Sequence, residues 1–189
     1  MTVLETDIDL IKRCINGKQE AYEALYNRYK GYVYTMCYRC GIQEYEIKDA
    51  MQVIFTEVFQ GLDKFDSKRA SFKTWLSRIA IHQLLNILRK KNINFSAVSD
   101  DEQLVVRDFS SHASSEFDMK FINKVLANMP EAYRLVFNLF VVEGFSHQEI
   151  AEELGISVSQ SRISLHRGRE WAKARLQHSF NDYQAEQRS

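Results

Sequence analysis

Residues 145–170 read FSHQEIAEELGISVSQSRISLHRGRE, a stretch whose two halves carry opposite charge. Its first half carries Glu149, Glu152 and Glu153, whereas its second half carries Arg162, Arg167 and Arg169 against a single Glu170. Ser146 with Glu149 three residues on is a capping box, and Ser157 with Gln160 repeats the device after Gly155. Two helices joined by a glycine-containing turn are therefore expected. On the first, Ile150, Ala151 and Leu154 face inward. On the second, Ser161, Leu165, Gly168, Ala172 and Leu176 form a stripe of small and apolar residues that permits close crossing. Glycine inside a helix costs about 1 kcal/mol relative to alanine, so Gly168 points to a close backbone approach. The opposite face shows Gln160, Arg162, Ile163, His166 and Arg167. This is the layout of a helix-turn-helix, whose second helix enters the major groove of DNA. Two solvated helices held by surface ion pairs, each worth under about 1 kcal/mol, do not require paired caps, a short turn and a one-sided basic face together.

The wider chain agrees. With 7 glycines and 1 proline in 189 residues, it lacks the turn punctuation of a many-stranded protein, and 45% hydrophobic residues supply a helical core. The formal net charge is zero, but the charges are sorted: residues 64–91 hold 8 basic against 1 acidic residue, residues 92–118 hold 1 against 6, and residues 162–175 hold 5 against 1. A local patch, not the total, sets the field that a polyanion meets.

The segment 92–118, NINFSAVSDDEQLVVRDFSSHASSEFD, shows no helical period and reads as an acidic linker between a first domain, 1–91, and a second, 119–189. In the first domain Thr6 or Asp7 caps a short helix ending near Gly17, a second runs from about Lys18 to Gly41 and a third from about Glu44 to Gly61. A fourth begins near Ser71 and ends at Arg89, Lys90 and Lys91, with an apolar stripe of Phe72, Trp75, Leu76, Ile79, Ala80, Leu84 and Ile87. Lys73, Ser77, Arg78, His82 and Arg89 fall mainly off it. In the second domain Pro130 marks a helix start, and LVFNLFVVEGF supplies an apolar helix ending at Gly144.

Taken together, these runs resemble a bacterial RNA polymerase sigma factor of the extracytoplasmic-function (ECF) group of the sigma-70 family. The likeness covers nearly the whole chain. AYEALYNRYKGYVYTMCYR resembles the family's opening helices, Asp49, Gln52 and Phe55 stand at the spacing of its core-binding helix, and SFKTWLSRIA at residues 71–80 matches its most recognisable run. MPEAYRLVFNLFVVEGFSHQEIAEELGISVSQSRISLHRGRE resembles the promoter-binding domain from end to end. The expected fold is all-α: a region 2-like helical bundle and a region 4-like helix-turn-helix joined by an extended linker.

The resemblance implies a transcription initiation factor with core RNA polymerase and promoter DNA as partners. Asp49, Gln52, Phe55 and Thr56 would dock on the clamp helices of the β′ subunit, and the β flap is a further polymerase contact. Phe55 and Phe59, four apart, are read first as core and only second as an apolar anchor. Arg162, Ile163, His166 and Arg167 fall where the family reads the minus thirty-five element as duplex, with Ser159 and Gln160 near phosphates. Arginine reads guanine edges bidentately; His166 is read either as a base contact or as a solvated histidine. For the minus ten element, captured as single strand, the loop DKFDSKRAS offers Lys64, Ser67, Lys68 and Arg69 beside Phe65, with Lys73, Arg78 and His82 following the strand. Phe72 and Trp75 are read as core rather than as stacking platforms. The linker is either a nucleic-acid mimic in the RNA channel or a tether. Many relatives are held by a membrane-anchored anti-sigma factor. Val53 and His82 depart from the family's usual residues and leave their own roles open.

No nucleophile and base pair, phosphate-cradling glycine loop or catalytic carboxylate cluster is present, so the expectation is a protein that is not an enzyme and needs no cofactor. Cys37 and Cys40 form CYRC, but with only Cys14 besides and no histidine at ligand spacing, buried structural thiols are expected rather than a metal site. No run approaches the roughly 18 apolar residues that span a bilayer, and no secretory leader is evident, so the expected location is the cytoplasm. The rival reading is a free-standing helix-turn-helix regulator acting without core polymerase, which leaves SFKTWLSRIA and the Asp49 helix unused.

Overall fold

A computed structural model describes residues 5–91, 123 and 126–186, with side chains described through Arg175 except at Ala132. The linker 92–118 lies outside the described residues, as does the side chain of Leu176. Seven α-helices and no strand occur among the described residues. They group into two units, α1–α4 and α5–α7.

In the first unit, α1 (Asp7–Ile15) starts on a Thr6 capping box closed by Asp9, and Gly17 follows with φ 74°. Asp7 binds α1 to α2 (Gln19–Arg39): the Arg28 guanidinium donates to its Oδ1 at 2.6 Å, and the Tyr29 hydroxyl donates to its Oδ2. Burial first, and then the bond to Asp7, pushes the Tyr29 phenol upward. After Gly41, φ 88°, a 3-10 turn at Glu44–Glu46 leads into α3 (Ile47–Gln60), with Ala50, Ile54 and Val58 buried. Gly61 ends α3 at φ −98°, so it is not the left-handed exit that Gly17 and Gly41 make. A Cβ there would stand 3.3 Å from the Glu57 carbonyl and 3.5 Å from Trp75, which gives this glycine a packing reason instead.

Helix α4 (Phe72–Lys90) is capped by Ser71, whose Oγ accepts from the Thr74 amide at 3.1 Å, and α4 packs on α3. Its buried arc differs from the expected stripe. Phe72, Leu76, Ala80 and Leu84 are inside, but so are Ser77, Ile81, Leu85 and Leu88, while Trp75, Ile79 and Ile87 are half-buried edges. The 77, 81, 84, 88 spacing is a second helical stripe, so α4 is covered over a wider arc than a single partner demands.

In the second unit Pro130 is the N-cap of α5 (Glu131–Phe137), one residue earlier than a first-turn proline. The apolar helix expected to run on to Gly144 widens instead into a π turn at Asn138–Val142, where the Glu143 amide reaches the Asn138 carbonyl at 3.1 Å. The Asn138 side chain also donates to the Arg134 carbonyl at 3.0 Å, so side chain and backbone share the acceptor where the turn opens. The wide turn keeps Leu139 and Phe145 buried and leaves Val141 and Val142 exposed. Helix α6 (His147–Leu154) starts on the Ser146 and Glu149 capping box and ends at Gly155, φ 67°. Helix α7 (Val158–Glu186) packs on both α5 and α6.

Candidate nucleic-acid interface

The start of α7 is set by reciprocal bonds: the Gln160 amide donates to Ser157 Oγ at 3.1 Å and the Ser157 amide to Gln160 Oε1 at 2.8 Å. One side of α7 is sealed, with Ser161, Ser164, Leu165, Gly168 and Ala172 all buried. Gly168 earns its place by proximity, since a Cβ on it would meet Tyr133 Cβ at 3.3 Å, Met129 Sδ at 3.4 Å and Phe137 Cβ at 3.5 Å. Ser159, Arg162, Ile163 and His166 are exposed, whereas Gln160 and Arg167 are half-buried. Because the Gln160 oxygen serves the cap, only its Nε2 donors remain for a phosphate.

Two further residues bear on α7. His147, the first residue of α6, has Nδ1 2.9 Å from the buried Ser161 Oγ and stacks on Phe140 with ring centroids 4.5 Å apart and planes at 27°. The Arg169 guanidinium lies over the same Phe140 ring, 5.8 Å from its centre. Burial, and then the charges of Arg162 and Arg169, hold the His147 imidazole below its ordinary pKa. Sequence reasoning named neither His147 nor Arg169 as a site residue. The capping box signals only the helix start, and the partner of His147 is 14 residues away across a turn.

In the first unit the loop after the 3-10 turn Leu62–Lys64 is organised by Asp66, whose Oδ1 accepts from the Lys68 amide at 2.9 Å and whose Oδ2 pairs with Arg69 at 3.4 Å. Lys64, Ser67, Lys68 and Arg69 are exposed, as are Lys73, Arg78 and His82 on α4. Lys73 Nζ lies over the Tyr32 ring, 4.8 Å from its centre. Phe65 anchors the loop, edge-on to Phe72 at 5.5 Å and tilted on Trp75 at 5.6 Å. Phe72 is buried and Trp75 half-buried, as core residues on the packed side of α4.

On α3, Asp49, Gln52 and Thr56 are exposed along one helical face, with Val53 46% exposed beside them. Phe55 is 4% exposed and packs on Tyr26 and Phe59 at 4.7 and 5.8 Å, so the surface of α3 is polar without it. Cys14, Cys37 and Cys40 are buried, and burial pushes the Cys37 thiol up to about 12. No group of His, Cys, Asp and Glu arranged for a metal ion, and no helix long and apolar enough to cross a membrane, occurs among the described residues.

Two helical units, one of them a helix-turn-helix with a basic exposed face, define an all-helical DNA-binding protein. Residues 25–93 match the family model for sigma-70 region 2, and residues 122–171 that for sigma-70 region 4. The chain is 30% identical over 177 residues to the ECF RNA polymerase sigma factor SigW of Bacillus subtilis (strain 168), covering 88% of this chain and 94% of that protein. It is 27% identical over 177 residues to the ECF RNA polymerase sigma-E factor of Escherichia coli (strain K12), covering 87% and 91%. The solved structure of CnrH in complex with the cytosolic domain of CnrY shares the fold, with a TM-score of 0.53 at 22% identity over 92% of this chain and 99% of that one. The chain belongs to the ECF group of the sigma-70 family. It is a sigma factor, directing RNA polymerase to promoters.

Proposed function

We propose that the two units divide promoter reading between them. Within 119–189, α7 reads the minus thirty-five element as duplex through Arg162, Ile163, His166 and Arg167, with Ser159 and Gln160 at phosphates. Within 1–91, Lys64, Ser67, Lys68 and Arg69 of the loop, with Lys73, Arg78 and His82 of α4, hold the minus ten element as melted single strand. The Asp49, Gln52 and Thr56 face of α3 docks on the β′ clamp helices, and the second unit meets the β flap. The factor works in the cytoplasm, and a membrane-anchored anti-sigma factor is a further partner that the family resemblance suggests.

The observation that carries this reading is the exposed Arg162, Ile163 and His166 face on a helix whose opposite side is sealed into its unit. A sealed back fixes the direction of the groove side chains, which base-edge contacts require. In vitro transcription with sigma-free core polymerase on a genomic promoter pool tests it. The expected result is RNA starting at a defined subset of promoters that share an upstream and a downstream element. Duplex binding without any initiation would return the chain to the class of free-standing regulators.

A further inference from the structure

Ser161 is fully buried on α7, one residue before Arg162 and two before Ile163. A buried hydroxyl without a partner is costly, and this one is met by Nδ1 of His147 at 2.9 Å. The same imidazole stacks on Phe140 in the π turn, and Arg169, two turns further along α7, covers that Phe140 ring. One ring therefore ties together the π turn, the first residue of α6 and the first turns of α7. Further along α7, Gly168 packs against Tyr133, Met129 and Phe137, and such apolar contacts tolerate sliding better than a hydrogen bond does.

Resting on the reading of α7 as the groove helix, we propose that His147 is a positioning residue for promoter reading: its bond to Ser161 and stack on Phe140 set the rotation of α7 about its own axis. Side chains of a helix end about 5 to 6 Å from the axis, so a turn of about 10° displaces them by roughly 1 Å. That is more than a bidentate base contact accommodates, whereas phosphate contacts from flexible cations follow the shift. Loss of the tie should lower discrimination between sequences and leave general DNA affinity in place.

The test uses holoenzyme assembled from the full chain and sigma-free core polymerase, with a labelled duplex selected from a random pool by the wild-type holoenzyme and a scrambled duplex of equal length. The quantity read is the ratio of the two affinities. His147→Phe keeps a stacking ring without Nδ1, and Ser161→Ala removes the hydroxyl with little change of volume. Each should lower the ratio on the order of tenfold, about what the loss of one bidentate base contact costs, with the scrambled-duplex affinity within about twofold of wild type. The double variant should be no worse than either single, because the two groups act as one. His147→Asn, which keeps a polar atom near the position of Nδ1, should restore much of the ratio. An unchanged ratio in Ser161→Ala, or equal losses on both duplexes, overturns the role. Failure of the wild-type selection to enrich any upstream element refutes the groove reading of α7 itself, while a wild-type preference that both single variants keep refutes only the part given to His147.

Discussion

Gly168 of α7 faces Tyr133 of α5 so closely that a Cβ on the glycine would lie 3.3 Å from the Cβ of the tyrosine. Tyr133 Cβ and Phe137 Cβ are anchored to the α5 backbone and cannot rotate away, so larger residues at 168 must push the helices apart. Gly168→Val is expected to destabilise the second unit by about 1 to 3 kcal/mol through overpacking. Urea unfolding measures this, and a midpoint at or above wild type would show that the crossing has slack.

Gln160 serves the α7 cap with its side-chain oxygen, and glutamate serves that position equally well. Gln160→Glu should therefore retain the thermal midpoint while setting a negative charge against the phosphates that α7 approaches. Holoenzyme carrying it should bind duplex promoter several-fold more weakly, with the gap growing as salt is lowered. Equal affinity at low salt would place Gln160 away from the backbone.

Asp49 is exposed in the first turn of α3, where its carboxylate complements the helix dipole. Asp49→Arg should cost at most about 1 kcal/mol of stability but reduce association with core polymerase at least tenfold if the charge orients docking. Surface-immobilised core measures the affinity, and wild-type binding by the variant would remove α3 from the docking surface.

His147 charges at lower pH in the folded chain than the ordinary 6.5, because burial and the neighbouring arginines oppose the imidazolium. Below about pH 6.5 the unfolded chain then binds a proton that the folded chain does not, so the stability due to this group is full above that pH and is lost as pH falls toward the folded value. Between pH 7.5 and 5.5 wild type should lose more thermal stability than His147→Gln. Parallel pH curves for the two proteins would contradict the burial of this ring.

Much of the fold was legible because its signals are local. Ser146 with Glu149 and Ser157 with Gln160 lie three residues apart, and both boxes form where the spacing places them, while of the two candidate caps Thr6 and Asp7 the first helix uses Thr6. The small stripe on α7 was written in one helical period as far as Ala172, whereas the neighbours that require a glycine at 168 are set by the fold. The candidate site was legible on the same grounds at Arg162, Ile163 and His166, which are exposed opposite a buried stripe.

What the tertiary structure decided depends on groups distant in sequence. Periodicity put Ser77 outside, but α4 is buried over a second stripe, and one helix's sequence does not show from how many sides it will be covered. Asn138 looked like one polar residue in an apolar helix, yet its side chain competes for a backbone carbonyl where the helix opens into a π turn. That turn carries Phe140 to His147, and His147 finds Ser161 across the helix-turn-helix. The Ser71, Ser146 and Ser157 caps and the turns at Gly17, Gly41 and Gly155 could be read along the chain, since they follow from neighbours within a turn or two. Only packing decided how α7 is held in rotation, because a hydrogen bond between residues on different helices forms only once those helices have met.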